Sequence, residues 1–553
     1  MKQASIAAVF SLSLLTLSMA HSAQYKVVEL AVADLGTSSF PTAINSSGDV
    51  TVNLQAKYQP PIDLELIDFS TISDNLSNSE AAQSGDFNDY DYTYLYSYIV
   101  ANAENLFFQQ IANLNAYVVT YSNAEQVIGF DTIDLTTKGY SNSVRTEVKS
   151  INDFGYLVGV SQDSFYKLAY TTQDVIDLTY VVNDFYARAF VQIGSKSVGL
   201  LPPDTTAGGL SEAYDINANN QIVGIGTTEI SSSLQTSVEA CADEEQRGDV
   251  PVVACLRSLS ISLNNNVSSV AQQRGIIWQV DEKGNVSDTY TLGMLINPDE
   301  SDTTLYRSTA VAINDYGIAV GQSPAYYQQS TSLTSAAAIY VNGKVQTINQ
   351  DDEVYASTAI DINNDNLVVG YVSKSVNGSA TNKFFVHDID AELTTYPSDF
   401  FLSSASVPTS INNSGMVVGY AESEASIGTR RNEGFIYDYR NDVFIGLNSL
   451  LECNSAYNII QANAINDDNQ IAATAVVKGP ARNIKGEIVL DDLGAQTLID
   501  YVVAVKLEPI AGGSIDNCDV YEEEEVRQGA GMSWLLMLAG FAFSLRLVRR
   551  RKD

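Results

Sequence analysis

Ala310-Val311-Ala312-Ile313-Asn314-Asp315-Tyr316-Gly317-Ile318-Ala319-Val320-Gly321 decides the fold, because it is one of seven copies of a single pattern. The other copies are Ala43-Ile44-Asn45-Ser46-Ser47-Gly48, Ser150-Ile151-Asn152-Asp153-Phe154-Gly155, Asp215-Ile216-Asn217-Ala218-Asn219-Asn220, Asp361-Ile362-Asn363-Asn364-Asp365-Asn366, Ser410-Ile411-Asn412-Asn413-Ser414-Gly415 and Ala464-Ile465-Asn466-Asp467-Asp468-Asn469. Every copy holds Ile-Asn, and three residues after that Asn every copy holds Gly or Asn. These residues best tolerate positive φ. Gly48, Gly155, Asn220, Gly317, Asn366, Gly415 and Asn469 are therefore expected to be the left-handed residue of a tight hairpin turn. The Asn of each Ile-Asn is expected to cap its own turn by bonding backbone two residues on. An apolar pair such as Leu157-Val158 or Val417-Val418 follows. Gly then stands at 159, 224, 321, 370 and 419, with Val52 and Ala473 in the outer copies. The reading is strand, turn, strand.

A second motif follows each copy, as in Ala116-Tyr117-Val118-Val119, Gly275-Ile276-Ile277-Trp278, Gly434-Phe435-Ile436-Tyr437 and, for the last copy, Glu487-Ile488-Val489-Leu490. It predicts a second hairpin. Two hairpins make a four-stranded antiparallel unit of about 50 residues, which suits a radial repeat. The expected fold is all-β: a seven-bladed β-propeller, whose closure removes exposed sheet edges. Tyr25 to Leu30 precedes the first copy and is expected to pair with the seventh unit as a displaced last strand. The long Asn45–Asn152 and Asn217–Asn314 intervals read as insertions. Residues about 56–112, 161–186 and 226–272 then fall between the second and third strands of the first three blades. That places them on one face, where function concentrates. Tyr90, Tyr92, Tyr94 and Tyr96 in the first would line a groove if they alternate along a strand.

The two ends read as addresses. Residues 1–23 have a positive start at Lys2, an apolar run and small residues at Ala20 and Ala23, the pattern of a secretory signal. The repeat domain is expected over 24–510 and an acidic, Gly-containing spacer over 511–531, including Glu522 to Glu525. An apolar transmembrane helix is expected over 532–548 and a basic cytoplasmic tail over 549–553. This layout resembles the GlyGly-type and PEP-type C-terminal sorting tails of Gram-negative surface proteins, which implies membrane retention followed by proteolytic release. The repeat itself, closest to its consensus at 310–321, resembles the HAF-type extracellular repeat. The whole chain resembles an uncharacterised gamma-proteobacterial envelope family with a domain of unknown function. That resemblance implies a surface or extracellular address and carries no catalytic residues.

The chain has 553 residues, with Lys+Arg 30 against Asp+Glu 66 and a net charge of −36. Phosphate contacts need a basic face, so no nucleic-acid partner is expected. Four cysteines in an exported chain are expected to be oxidised, and of three connectivities Cys241–Cys255 with Cys453–Cys518 is preferred. The two histidines are His21, in the leader, and His387, within a strand and expected to be structural. No GxSxG, P-loop or strand-to-helix GxGxxG occurs. The acidic runs at 86–91, 299–302 and 361–365 invite calcium but lack EF-loop spacing, so no cofactor is expected. The leading expectation is a non-enzymatic binding protein of the cell envelope, with an unidentified protein or glycan partner and a membrane contact through its C-terminal helix. A polysaccharide-acting enzyme and a structural matrix protein are the alternatives.

Overall fold

The computed structural model describes residues 23–121, 123–132, 144–299, 301–327, 332–348, 353–424 and 430–515. The expected leader, the 532–548 helix and the basic tail lie outside these residues.

Each Ile-Asn turn joins two antiparallel strands. In the fourth unit Thr309–Ile313 pairs with Ala319–Tyr326, that strand with Leu333–Val341, and that with Lys344–Thr347. Four further sheets repeat this order, beginning with Thr146–Ile151, Ser211–Ile216, Val354–Ile362 and Ser406–Ile411. An eight-stranded path holds the remainder. It contains the first unit (Gly36–Ile44, Val50–Lys57, Leu114–Thr120, Asn123–Gln126) and the last (Asn458–Ile465, Ile471–Pro480, Leu498–Pro509), joined by one parallel pair, Ser38 with Val502. Tyr25–Glu29 completes the last unit, running antiparallel to Leu498–Pro509 with Tyr25 opposite Pro509. Each first strand touches the first strand of the next unit, and Asn458–Ile465 touches Gly36–Ile44 again.

This stacking explains the apolar pairs after each turn. Successive strand residues point to opposite faces. Val368 accordingly packs with Ala312, Val320 and Ile339 of the fourth unit, whereas Val369 packs with Ile411, Val417 and Phe435 of the sixth. Where neighbouring sheets cover both faces of a middle strand, consecutive residues are apolar, as in Leu367-Val368-Val369.

The recurring Gly has a separate cause. Every first strand carries a β-bulge just before Ile-Asn, seen as register shifts at 41/43, 148/150, 213/215, 310/312, 359/361, 408/410 and 462/464. The bulge drives a carbonyl onto the second strand. A Cβ on Gly224 would lie 1.9 Å from the Glu212 carbonyl oxygen, and one on Gly321 would lie 2.1 Å from that of Thr309. Glycine avoids that contact in five units, while the first and last, which carry the same bulge, hold Val52 and Ala473 at this place.

Three sequence expectations need correction. The fold is mostly β rather than all-β, because helices fill two insertions. Asp89–Ala101 is a helix, capped where Asn88 Oδ1 accepts the Asp91 N–H, and Ser232–Ala242 and Val252–Asn265 are helices in the third unit. Tyr90, Tyr92, Tyr94 and Tyr96 therefore spiral around a helix instead of lining one strand face. The buried positions Tyr92, Leu95 and Ile99 follow helical spacing, and Tyr94 stacks on Tyr98 four residues later. Finally, the third strand of the last unit is Leu498–Pro509, not the stretch at 487–490. Ile488, Val489 and Leu490 are exposed, whereas Ala504, Val505 and Leu507 are fully buried. Among the described residues, no helix is long and apolar enough to cross a membrane.

Candidate functional site

The two ends of the ring of first strands differ in chemistry. At one end the Ile-Asn turns converge. All seven Ile-Asn pairs, each with its following residue, line a single cavity of about 260 Å³. The left-handed positions have φ between +56° at Asn469 and +80° at Gly415. Each Asn holds its own turn; Asn314 Oδ1, for example, accepts the N–H of Tyr316 at 3.1 Å and of Ile318 at 3.0 Å. Sequence reasoning missed the other half of the side chain, which reaches across to the next unit. Nδ2 donates to the following Asn carbonyl in the links 152→217, 217→314, 314→363, 363→412, 412→466 and 466→45. Asn45 instead donates to Asp49. The first and second units are stitched by Asn53, which exchanges two hydrogen bonds with the backbone of Val148.

Two carboxylates brace the same end. Asp215 accepts from the Ser150 hydroxyl at 2.7 Å and the Ile313 N–H at 3.0 Å, tying three units together. Asp361 accepts from the N–H groups of Ile362 and Ile411, both at 2.8 Å. Desolvation, helped by the charge of Asp215, pushes the Asp361 carboxyl up to about 7 despite those donors. Every inward polar group named here is already bonded, so this end is a structural hub.

The opposite end carries the extra sequence. The insertions at 58–113, 163–186 and 231–270 all connect second to third strands, as the sequence predicts, and a fourth excursion at 481–497 does the same in the last unit. They dock on one another. Lys167 of the second pairs with Asp63 and Glu65 of the first, and the Tyr170 hydroxyl donates to Asp249 of the third at 2.7 Å. Tyr180, Val182 and Ala254 form a small core between them with Leu106. Lys485 of the fourth bridges to Asp89. Cys241 is bonded to Cys255, joining helices Ser232–Ala242 and Val252–Asn265 with Cα atoms 5.7 Å apart. Cys453 is also disulfide-bonded, and its expected partner Cys518 lies outside the described residues.

Two clefts open on this face beside the hairpin Leu367–Val376/Ser379–Asp388 of the fifth unit. One, of about 380 Å³, is lined by Lys374, Lys383, Tyr396, Asp399, Phe401 and Leu402 among others. The Lys374 ammonium sits 4.7 Å above the Tyr396 ring and makes no ion pair among the described residues. Lys383 pairs with the nearly buried Asp399 at 2.8 Å, and Leu402 is 74% exposed. The other, of about 520 Å³, is lined by small and polar residues including Asn377, Ser379, Thr381, Asn382, Glu422 and Arg430. Nothing in the sequence marked these residues, because they lie outside the repeated motifs, on the far ends of strands and in the links of the fifth and sixth units.

The remaining candidates are buried and bonded within the scaffold. His387 is 7% exposed, its Nδ1 lies 2.9 Å from the Thr394 hydroxyl, and burial lowers its pKa. Asp91, in the first acidic run, is fully buried and accepts from Ser77, Asn78 and Asn88. Among the described residues no three metal-ligating side chains cluster. Glu522 to Glu525 lie outside the described residues.

Residues 2–551 match the family described as "Protein of unknown function (DUF3466)". The chain belongs to this family. No curated protein matches it. Among solved structures, this DUF3466 chain is similar to the β-propeller domain of the Trilobed protease from Pyrococcus furiosus. Identity is 10% and the TM-score 0.35, over 84% of this chain and 95% of that one. It is similar also to the Dos1 propeller, at 10% identity and a TM-score of 0.33 over 89% and 96% of the two chains. For an acylaminoacyl peptidase from Pyrococcus horikoshii the values are 11% and 0.35, and the likeness covers 86% of this chain and about half of the peptidase, 53%.

Proposed function

We propose that this DUF3466 chain is an exported, non-enzymatic seven-bladed β-propeller of the cell envelope that binds a saccharide through its insertion-bearing face. The seven first strands in contact around the ring, and Tyr25–Glu29 as fourth strand of the last unit, support the count of seven blades. Export and envelope retention rest on the leader and the apolar, Arg-terminated tail read from the sequence.

One observation carries the binding role: four insertions and two clefts share the face opposite the bonded Asn turns. The clefts fall within the usual volume range of ligand sites. An aromatic ring under a cation, an exposed leucine and a border of hydroxyl and carboxamide groups suit a sugar ring, which offers an apolar face and a polar edge. Lys374, which makes no ion pair among the described residues of so acidic a chain, favours a saccharide bearing carboxylate or sulfate.

A glycan array probed with the purified full chain tests this. Binding to acidic glycans is expected, with at least a tenfold loss in Lys374→Glu and in Tyr396→Ala. An array without retained signal, or signal that survives both substitutions, refutes the reading. Mass spectrometry of the protein from its native envelope tests the address: the mature chain should end near 529–531, and an intact Arg-rich terminus refutes release.

A further inference from the structure

The two clefts flank one hairpin and meet at its tip. Val376, the last residue of the strand Leu367–Val376, lines both. Asn377 and Gly378 turn the hairpin with φ of +52° and +82°, the paired left-handed geometry of a tight two-residue turn. The link at 396–405 runs from one cleft into the other: Tyr396, Phe401 and Leu402 line the first, Ser403 and Ala405 the second. Across the boundary, Arg430 of the second cleft lies 5.7 Å over the Phe401 ring of the first and donates to the Ser403 carbonyl at 2.8 Å. The outer edge of Ser379–Asp388 pairs with Leu393–Thr395 only at Val386, His387 and Asp388. Ala380 and Asn382, nearer the tip, therefore have no strand beside them on that edge among the described residues.

We propose, resting on the saccharide reading of this face, that the two clefts are unlike subsites of one groove. The first takes an acidic sugar and the second the uncharged sugar joined to it, so the ligand is a chain in which the two kinds alternate. The subsites differ in charge as such a chain does. In the first, Lys383 is engaged by Asp399, whose Oδ2 also accepts from the Ser406 hydroxyl at 2.8 Å. Lys374, beside the Tyr396 ring, is engaged by no carboxylate among the described residues. In the second, Arg430 and Glu422 pair with each other, and Asn377, Ser379, Thr381 and Asn382 add hydroxyl and carboxamide groups. Its two charges cancel, so it suits hydroxyl and amide substituents. A second sugar carboxylate there would meet Glu422 and compete for Arg430. The bare strand edge between the subsites offers backbone N–H and C=O groups to the hydroxyls that cross it. A single sugar fills only one cleft, so affinity should rise when a second residue reaches the other.

The test is titration calorimetry of the full chain with three probes. They are glucuronic acid, a hyaluronan tetrasaccharide (alternating uronic acid and neutral acetamido sugar) and a glucuronan tetrasaccharide, which is acidic at every residue. The alternating chain should bind about tenfold tighter than glucuronic acid and about tenfold tighter than the glucuronan, roughly the worth of one or two hydrogen bonds gained in the second cleft. Ala380→Trp, which puts a bulky ring on the exposed strand edge, should weaken the alternating tetrasaccharide about tenfold and so cancel its advantage. Glu422→Gln frees Arg430 from its carboxylate and should move the preference toward the glucuronan. Equal affinity for glucuronic acid and the alternating chain overturns the proposal, as does equal affinity for the two tetrasaccharides or an advantage that survives Ala380→Trp. If Lys374→Glu abolishes binding while length and alternation make no difference, the saccharide reading stands and the paired subsites fall. Absence of heat from all three probes sinks both.

Discussion

The inter-unit half of each Asn can be weighed by comparing two of them. Asn314→Ala removes four hydrogen bonds: two that hold its own turn, from Tyr316 and Ile318, and two that reach the next unit, at 3.2 Å to the Asn363 carbonyl and 3.0 Å to Asn366 Oδ1. At about 1 kcal/mol net for each bond, the loss is about 4 kcal/mol. Asn45→Ala removes the local bonds with the Asp49 N–H and carboxylate, and no cross-unit bond of the kind Asn314 makes. Its cost should be about 2 kcal/mol. Residues 23–515 form a body of roughly 490 residues, so the unfolding entropy is near 1 kcal/mol per degree and the expected drops are about 4 °C and 2 °C. Calorimetry on the two variants and the natural chain measures both. An Asn45→Ala drop as large as that of Asn314→Ala, or an Asn314→Ala drop under about 1 °C, refutes the view that these side chains tie neighbouring sheets together.

Gly321→Ala should cost about 2–3 kcal/mol, seen as a lower melting temperature, because its Cβ would stand 2.1 Å from the Thr309 carbonyl; Ala473→Gly, at the equivalent place in the last unit, should cost less than half as much. Asp361 gives a pH signature. Its folded-state pKa of about 7 lies above the usual carboxylate value, so the folded state binds the proton more tightly and stability falls as pH rises from about 4 to 7. Melting temperatures from pH 5 to 8 should fall less steeply in Asp361→Asn than in the natural chain, and parallel curves would count against a buried, uncompensated charge. Replacing Cys241 and Cys255 together by serine should loosen one insertion and leave the sheets intact. A short crosslinked loop is worth about 3 kcal/mol, so limited proteolysis should begin within 231–270 with little change in the main transition; protection equal to the natural chain would show the crosslink to be dispensable.

How far the sequence could be read follows from what repeats. A left-handed turn residue is a constraint of one position, and seven recurrences of Gly or Asn made it visible, together with the strands on either side. The recurring Gly was visible too, but its cause was not: the close carbonyl comes from a bulge in the partner strand, which leaves no residue type of its own. The insertions were located by subtraction, since the flanking hairpins repeat and they do not. Their content was not legible. Asp89-Tyr90-Asp91-Tyr92 alternates like a strand, yet Asn88 caps a helix there, and tertiary burial of Tyr92, Leu95 and Ile99 settles the period. The stretch at 487–490 failed for a related reason: its apolar residues imitate the motif, while the true third strand, Leu498–Pro509, is covered from Val503 to Leu507 by neighbouring sheets.

The same distinction separates scaffold from site. Positions that recur must satisfy the same neighbour seven times, and their polar groups end up bonded, as the Asn side chains and Asp215 do. Specific recognition needs the opposite: groups that the scaffold leaves unpaired. Lys374 at the cleft and Arg257 under the insertions are cations without an ion pair among the described residues in a chain of net charge −36. Arg257 stands in an insertion, and Lys374 stands near the far end of a second strand, beyond the repeated Gly370. An acidic surface repels free anions from a distance, so an anionic group that reaches either cation must be held by short-range fit rather than drawn in by the overall field. Rising salt should therefore speed association of an acidic saccharide with this face, by screening the −36 background, before it weakens the local Lys374 contact. A basic binding surface would show the reverse order, with association slowing monotonically as salt is added. Stopped-flow association between low and physiological ionic strength separates the two, and a monotonic slowing would place the saccharide somewhere other than this cleft.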